Sequence, residues 1–148
     1  MMIFFGVFIA LLAINASSAT THSSCPGLPE FIDVSLDGCS EQPCNLVSGS
    51  TTAFQVKILS NAYVTWMKAD IKAIAMGTAV SYPLPNPDVC SSLTDGECPL
   101  DKGEVVNYKV LFPILESFPL VPVVATLTIN SDQGVQGCMK ISLRVVAA

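Results

Sequence analysis

Six cysteines, one histidine and a short acidic stretch are the groups in this 148-residue chain that could do chemistry. The cysteines are Cys25, Cys39, Cys44, Cys90, Cys98 and Cys138. Thiolates and imidazoles bind zinc when they fall in tight knuckles two residues apart. Neither Cys39/Cys44 nor Cys90/Cys98 has that spacing, so no metal is expected. The lone histidine, His22, precedes the first cysteine in a segment expected to be mobile. A nucleophile–histidine arrangement needs a rigidly held ring, which such a segment does not supply. Asp95, Glu97, Asp101 and Glu104 could be read as an acid/base set, but a charge run of this kind is usually a solvated loop. No glycine-rich phosphate loop is present. The chain is therefore not expected to be an enzyme, and no cofactor is implied.

An even cysteine count then points to disulfides formed in an oxidising compartment. The N-terminus agrees. Met1 to Leu12 is an unbroken apolar run followed by small residues from Ala13 to Ala19, the pattern of a secretory leader. Residues 1–19 are read as a signal peptide cut after Ala19, with a cut after Ala16 as the alternative. The run is too short for the roughly 20 residues of a membrane span. Residues 20–148 form the mature domain, long enough to bury a core. The net charge is −5 with no basic cluster, which excludes a nucleic-acid partner and any charge-driven attachment to anionic membranes.

The elements that must position any site are strands. Apolar and polar residues alternate in five runs: Ile32–Val34–Leu36, Phe54–Val56–Ile58, Val106–Tyr108–Val110, Val123–Ala125–Leu127–Ile129 and Met139–Ile141–Leu143–Val145. Each presents one apolar face, as a half-buried strand requires. Val64, Met67, Ile71 and Ile74 also fit a helical period; among strand neighbours, Met67, Ala69, Ile71, Ala73 and Ala75 are read as one face of a strand. Asp37-Gly38, Asp95-Gly96 and Gln133-Gly134 mark turns. Two proline-rich stretches, 82–87 and 112–122, lack ladder donors and should leave the sheets. Charged residues make up only 13% of the chain. A tight core and a core with room in it would both give that composition.

The cysteine neighbourhoods carry a resemblance. Asp37-Gly38-Cys39-Ser40-Glu41-Gln42-Pro43-Cys44 resembles the tight loop near the start of Niemann–Pick type C2-like proteins. Met76-Gly77-Thr78-Ala79-Val80-Ser81-Tyr82-Pro83-Leu84-Pro85, with Asp88-Val89-Cys90 and Cys98-Pro99-Leu100, is similar to that family's central signature. Phe112-Pro113-Ile114, Phe118-Pro119 and Cys138 before an alternating strand match its later parts, so the resemblance spans the mature chain. This is the lipid-recognition (ML) domain family, and the pattern is that of an arthropod-type secreted member.

The resemblance implies an all-β, immunoglobulin-like β-sandwich of two antiparallel sheets with an apolar cavity between them. It implies disulfides Cys25–Cys138, Cys39–Cys44 and Cys90–Cys98. The first closes a loop near 100 residues, worth up to about 4–5 kcal/mol in the chain-entropy account. Val80, Tyr82, Phe112, Ile114, Phe118, Pro119, Leu127 and Met139 fall at pocket positions, with Tyr82, Ile114 and Phe118 at the mouth. Tyr82 stands where vertebrate sterol carriers have phenylalanine, Phe118 where they have tyrosine, and Leu127 and Met139 where they have tryptophan; this implies a different or broader ligand range. Trp66 and Tyr108 are further candidates for the inner face.

The implied function is a carrier of one small hydrophobic ligand: a sterol, a fatty acid or a semiochemical. The alternative is an immune module that presents microbial lipid to a receptor. Segments 81–87 and 112–122 contain no Lys or Arg and one acid, Glu116, which suits a carrier better than a binder of acidic lipid. A monomer is expected, with transient membrane or receptor contact as the remaining partnership. The sequon Asn15-Ala16-Ser17 lies within the leader, so the extracellular fluid is favoured over the lysosome.

Overall fold

The computed structural model describes residues 19–148. The expected leader lies outside the described residues except for its last position. Among the described residues nine strands form: β1 (Ser23–Ser24), β2 (Asp33–Leu36), β3 (Cys44–Val47), β4 (Thr51–Leu59), β5 (Met67–Ala75), β6 (Thr78–Tyr82), β7 (Val105–Pro113), β8 (Pro122–Ser131) and β9 (Gly134–Val146). One sheet runs β1-β9-β8-β5-β6, with β3 also on β9; the other runs β2-β4-β7. Their apolar faces meet in one continuous core that includes Phe54, Val56, Ile58 and Tyr108 from the smaller sheet and Ile71, Leu127, Ile129 and Ile141 from the larger. The pairs are antiparallel except β3 with β9, which is parallel.

The expected alternation is seen in β4, β5, β7, β8 and β9, and β5 is a strand rather than a helix. Three features differ from the sequence reading. Ile32 is 52% exposed, because the chain bends before β2 and Phe31, 6% exposed, turns inward instead. The segment around His22 is pinned rather than mobile. Thr20 N donates to Val34 O (2.8 Å), Thr20 Oγ1 donates to Cys39 O (2.7 Å) and accepts from Leu36 N (2.9 Å), and Ser23–Ser24 pair with Lys140 and Met139. Finally, β5 and β6 are joined by a tight turn at Met76-Gly77, both at positive φ (50° and 75°), the geometry that matches the twist of a two-residue hairpin. The sequence offers methionine where asparagine or aspartate would have announced that turn.

The disulfides are Cys25–Cys138, Cys39–Cys44 and Cys90–Cys98. Cys39–Cys44 ties the end of β2 to the start of β3, so it joins the two sheets along one edge of the sandwich. Asp95, from the acidic stretch, has a structural task. Asn107 donates to it from both backbone and side chain, and the backbone N–H first, then the side-chain amide, hold the carboxyl below its ordinary value.

Candidate ligand-binding site

The two ends of the sandwich are filled differently. At the end where β4 leads to β5, the inner positions carry Ile58, Val64, Met67, Leu100, Val106, Tyr108 and Ile129, each at most 2% exposed. At the end where β7 leads to β8, the same inner face of β5 continues as Ala73 and Ala75, and β8 places Ala125 opposite Ala73. Three small side chains in a row leave the sheets apart. The space is an apolar cavity of about 140 Å³. Its walls are Ile71, Ala73 and Ala75 of β5, Val80, Ser81 and Tyr82 of β6 with Pro83 beyond it, Phe112 of β7, Val123 and Ala125 of β8, Leu143 and Val145 of β9, Leu46 of β3, and Phe118 and Pro119 of the β7–β8 loop. No charged side chain lines it.

A cluster of rings lines the cavity. Tyr82 packs on Phe112 with centroids 4.2 Å apart and meets Phe118 edge-on at 5.8 Å. Phe112 in turn meets Phe54 edge-on at 5.9 Å. The Tyr82 hydroxyl donates to Pro113 O at 2.8 Å, and burial raises its pKa above the ordinary value of 10.0. It is therefore a neutral donor at physiological pH. Behind this cluster lies a second, smaller space of about 10 Å³ lined by Phe54, Leu127, Met139 and Ile141. Ile71, Phe112, Ala125 and Leu143 are walls of both spaces.

Of the residues singled out in the sequence, Val80, Tyr82, Phe112, Phe118 and Pro119 meet around the main cavity, and Leu127 and Met139 line the inner one. Ile114 lines neither. It is 2% exposed and belongs to the core, because it continues the inward alternation of Val106, Tyr108, Val110 and Phe112. Backbone bonds fix it there: Ile114 N donates to Ser50 O (2.7 Å) and Gly49 N donates to Ile114 O (2.8 Å). Trp66 is 43% exposed and Tyr108 fully buried, both away from the cavity. The walls not named from the sequence are Leu46, Ile71, Ala73, Ala75, Ser81, Pro83, Val123, Ala125, Leu143 and Val145. For Ala73 and Ala75 the signal was the run of alanines on the face led by Met67 and Ile71.

Comparison with known proteins gives a consistent result. Residues 19–145 match the family described as ML domain. Over 143 residues, 95% of both chains, the sequence is 29% identical to NPC intracellular cholesterol transporter 2 of Bos taurus. It is 25% identical over 147 residues to the ecdysteroid-regulated 16 kDa protein of Manduca sexta, covering 98% of this chain and 99% of that one. Among solved structures, a Niemann-Pick type C2 protein from Japanese carpenter ant has the same fold, with a TM-score of 0.74 at 21% identity, over 85% of this chain and 99% of that chain.

Proposed function

Because the chain belongs to the ML domain family, we propose that it is a secreted carrier that holds one small apolar lipid, a sterol or a fatty acid, between its sheets. The observation that carries this reading is the cavity: an uncharged apolar space roofed by aromatic rings, at the one end of the sandwich where the inner face is built from alanines. Such a wall offers a ligand dispersion and dehydration, and few fixed hydrogen bonds, so it selects by size and apolarity. Burying about 400 Å² of ligand surface at about 25 cal/mol per Å² gives about 10 kcal/mol gross. After ordering costs, that supports affinities near the micromolar range.

The bovine relative is named for cholesterol transport, which makes a sterol the first ligand to try. The absence of Lys and Arg from segments 81–87 and 112–122 supports carriage of a neutral or weakly polar lipid over presentation of a strongly anionic one. Secretion is supported by the leader-like run before Thr20 and by the three disulfides.

The test is titration of the purified, disulfide-intact protein with a fluorescent sterol (dehydroergosterol) and a fluorescent fatty acid (cis-parinaric acid). At least one should bind at one per chain and be displaced by unlabelled lipid. A folded protein that takes up neither, and from which native extraction releases no lipid detectable by mass spectrometry, would refute the carrier reading.

A further inference from the structure

The cavity is smaller than its proposed cargo. About 140 Å³ accommodates a molecule near the size of benzene. Pockets that enclose drug-sized ligands measure roughly 300–1,000 Å³. Loading a sterol or a fatty acid therefore requires the cavity to widen, and the structure shows along which edge it can.

One edge is held covalently by Cys39–Cys44 and, besides, by the hydrogen bonds of Thr20. The opposite edge lies between β5–β6 of one sheet and β7 of the other, and its two halves are built differently. Towards the closed end, segment 87–94 seals it. Ala69 N donates to Pro87 O and Val89 N to Met67 O on one side, Thr94 N donates to Asn107 O on the other, and Cys90–Cys98 closes the loop. Towards the open end that segment has turned away. There, among the described residues, the hydrogen bond that joins β6 to β7 is the one from the Tyr82 hydroxyl to Pro113 O. β6 is an edge strand of five residues, laddered to β5 alone.

We propose that Tyr82 is the latch of a hinged sandwich: its hydroxyl closes the free edge over the cavity and must release Pro113 before a lipid can enter or leave. The inference rests on the cavity being the lipid site. The Cys39–Cys44 edge is the hinge and the β5–β6 hairpin the moving part. Tyr82 is only partly buried, so its released hydroxyl reaches water at small cost. Its ring, packed on Phe112 and Phe118, is a separate contribution, which phenylalanine would keep.

The test is Tyr82→Phe, which removes the bond and leaves the ring. Stopped-flow mixing with cis-parinaric acid and with dehydroergosterol gives association rates, and chase with excess unlabelled lipid gives dissociation rates. Release of one hydrogen bond before the barrier predicts that both rates rise together, by about three- to tenfold. Tyr63→Phe, at an exposed tyrosine outside the cavity lining, is the control and should leave both rates as they are. Unchanged rates in Tyr82→Phe would overturn the latch. So would a rise in dissociation alone, which would mean that the hydroxyl touches the lipid. Amide hydrogen exchange tests the latch without any ligand. In Tyr82→Phe, amides of β6 should exchange faster while those of β2 and β3 do not change; equal protection of β6 in both proteins would overturn it. If the wild-type protein binds neither probe and native extraction releases no lipid, the carrier reading falls, and the exchange comparison still decides the latch.

Discussion

The closed and open ends of this sandwich are made from the same strands, yet they are different materials. On β5, Met67 and Ala69 are buried, whereas Ile71, Ala73 and Ala75, further along the same face, stand at a cavity wall. On β7, Val106 and Tyr108 are packed solid, whereas Phe112 separates two spaces. The free edge follows the same division: backbone bonds and a disulfide at one end, a single side-chain bond at the other. Stability can thus be concentrated where function does not need movement, and withheld where it does.

The sharpest way to break this division is Ile114→Asp. Ile114 sits near the open end but is buried in the core and lines neither of the two spaces. A carboxylate there has no ion partner, so unfolding free energy should drop by about 3–5 kcal/mol in urea titration. A variant of near-normal stability that has lost lipid binding would instead assign Ile114 to the cavity wall.

Tyr108 probes the closed end through pH. It is fully buried, no described protein group hydrogen-bonds its hydroxyl, and burial first, then the charge of Asp88, push its pKa from 10.0 up to about 12. The unfolded chain releases this proton first, so the folded state binds more protons between those values. Its contribution to stability is complete below pH 10 and declines as pH rises towards 12, by about 2–3 kcal/mol in all. Tyr108→Phe should remove that share of the alkaline decline and be no less stable at pH 7, since a buried hydroxyl without a partner is itself costly. If the decline is the same in both proteins, the hydroxyl is not dry.

Two smaller effects set the ends against each other. At Gly137 of β9, the Phe31 ring occupies the place of a side chain, so an added Cβ would overlap it. Gly137→Ala should cost about 1–3 kcal/mol, read as a lowered Tm, with lipid affinity retained. Ala73→Leu reverses the pattern. It fills cavity space, so lipid affinity should fall tenfold or more, about 1.4 kcal/mol, with stability kept or raised. Unchanged lipid affinity in Ala73→Leu would put the ligand elsewhere.

Much of this architecture is legible in the sequence, because alternation reports burial directly wherever both sheets meet a packed core. Phe54, Val56 and Ile58 could hardly face anything else. The strands that escaped notice are those to which that logic does not apply. β6 has four exposed residues followed by Tyr82, because its inner side faces a cavity. β3 is short and lies beside a strand almost 100 residues away. The pinning of Thr20 depends on β2 and the Cys39 loop, which no local pattern announces. In the site, the aromatic and proline residues were readable from the family resemblance. The alanines that create the space were visible as a periodic face but silent about what stands opposite. The resemblance of the Phe112–Pro119 stretch puts Ile114 at the mouth, whereas the alternation of β7 carries it into the core.

The position of β9 has a consequence for how the chain comes into being. This last strand is the partner of β1, β3 and β8, and it carries the cysteine joined to Cys25, 113 positions earlier. A ribosome delivers it after everything it must pair with. Until it emerges, β8 lacks its neighbour on one side, β1 and β3 have no ladder, and the apolar faces of the larger sheet have no finished surface. The domain must therefore wait, unfinished, and close in one late, non-local step, with the kinetic slowness and the need for protection that such topologies carry.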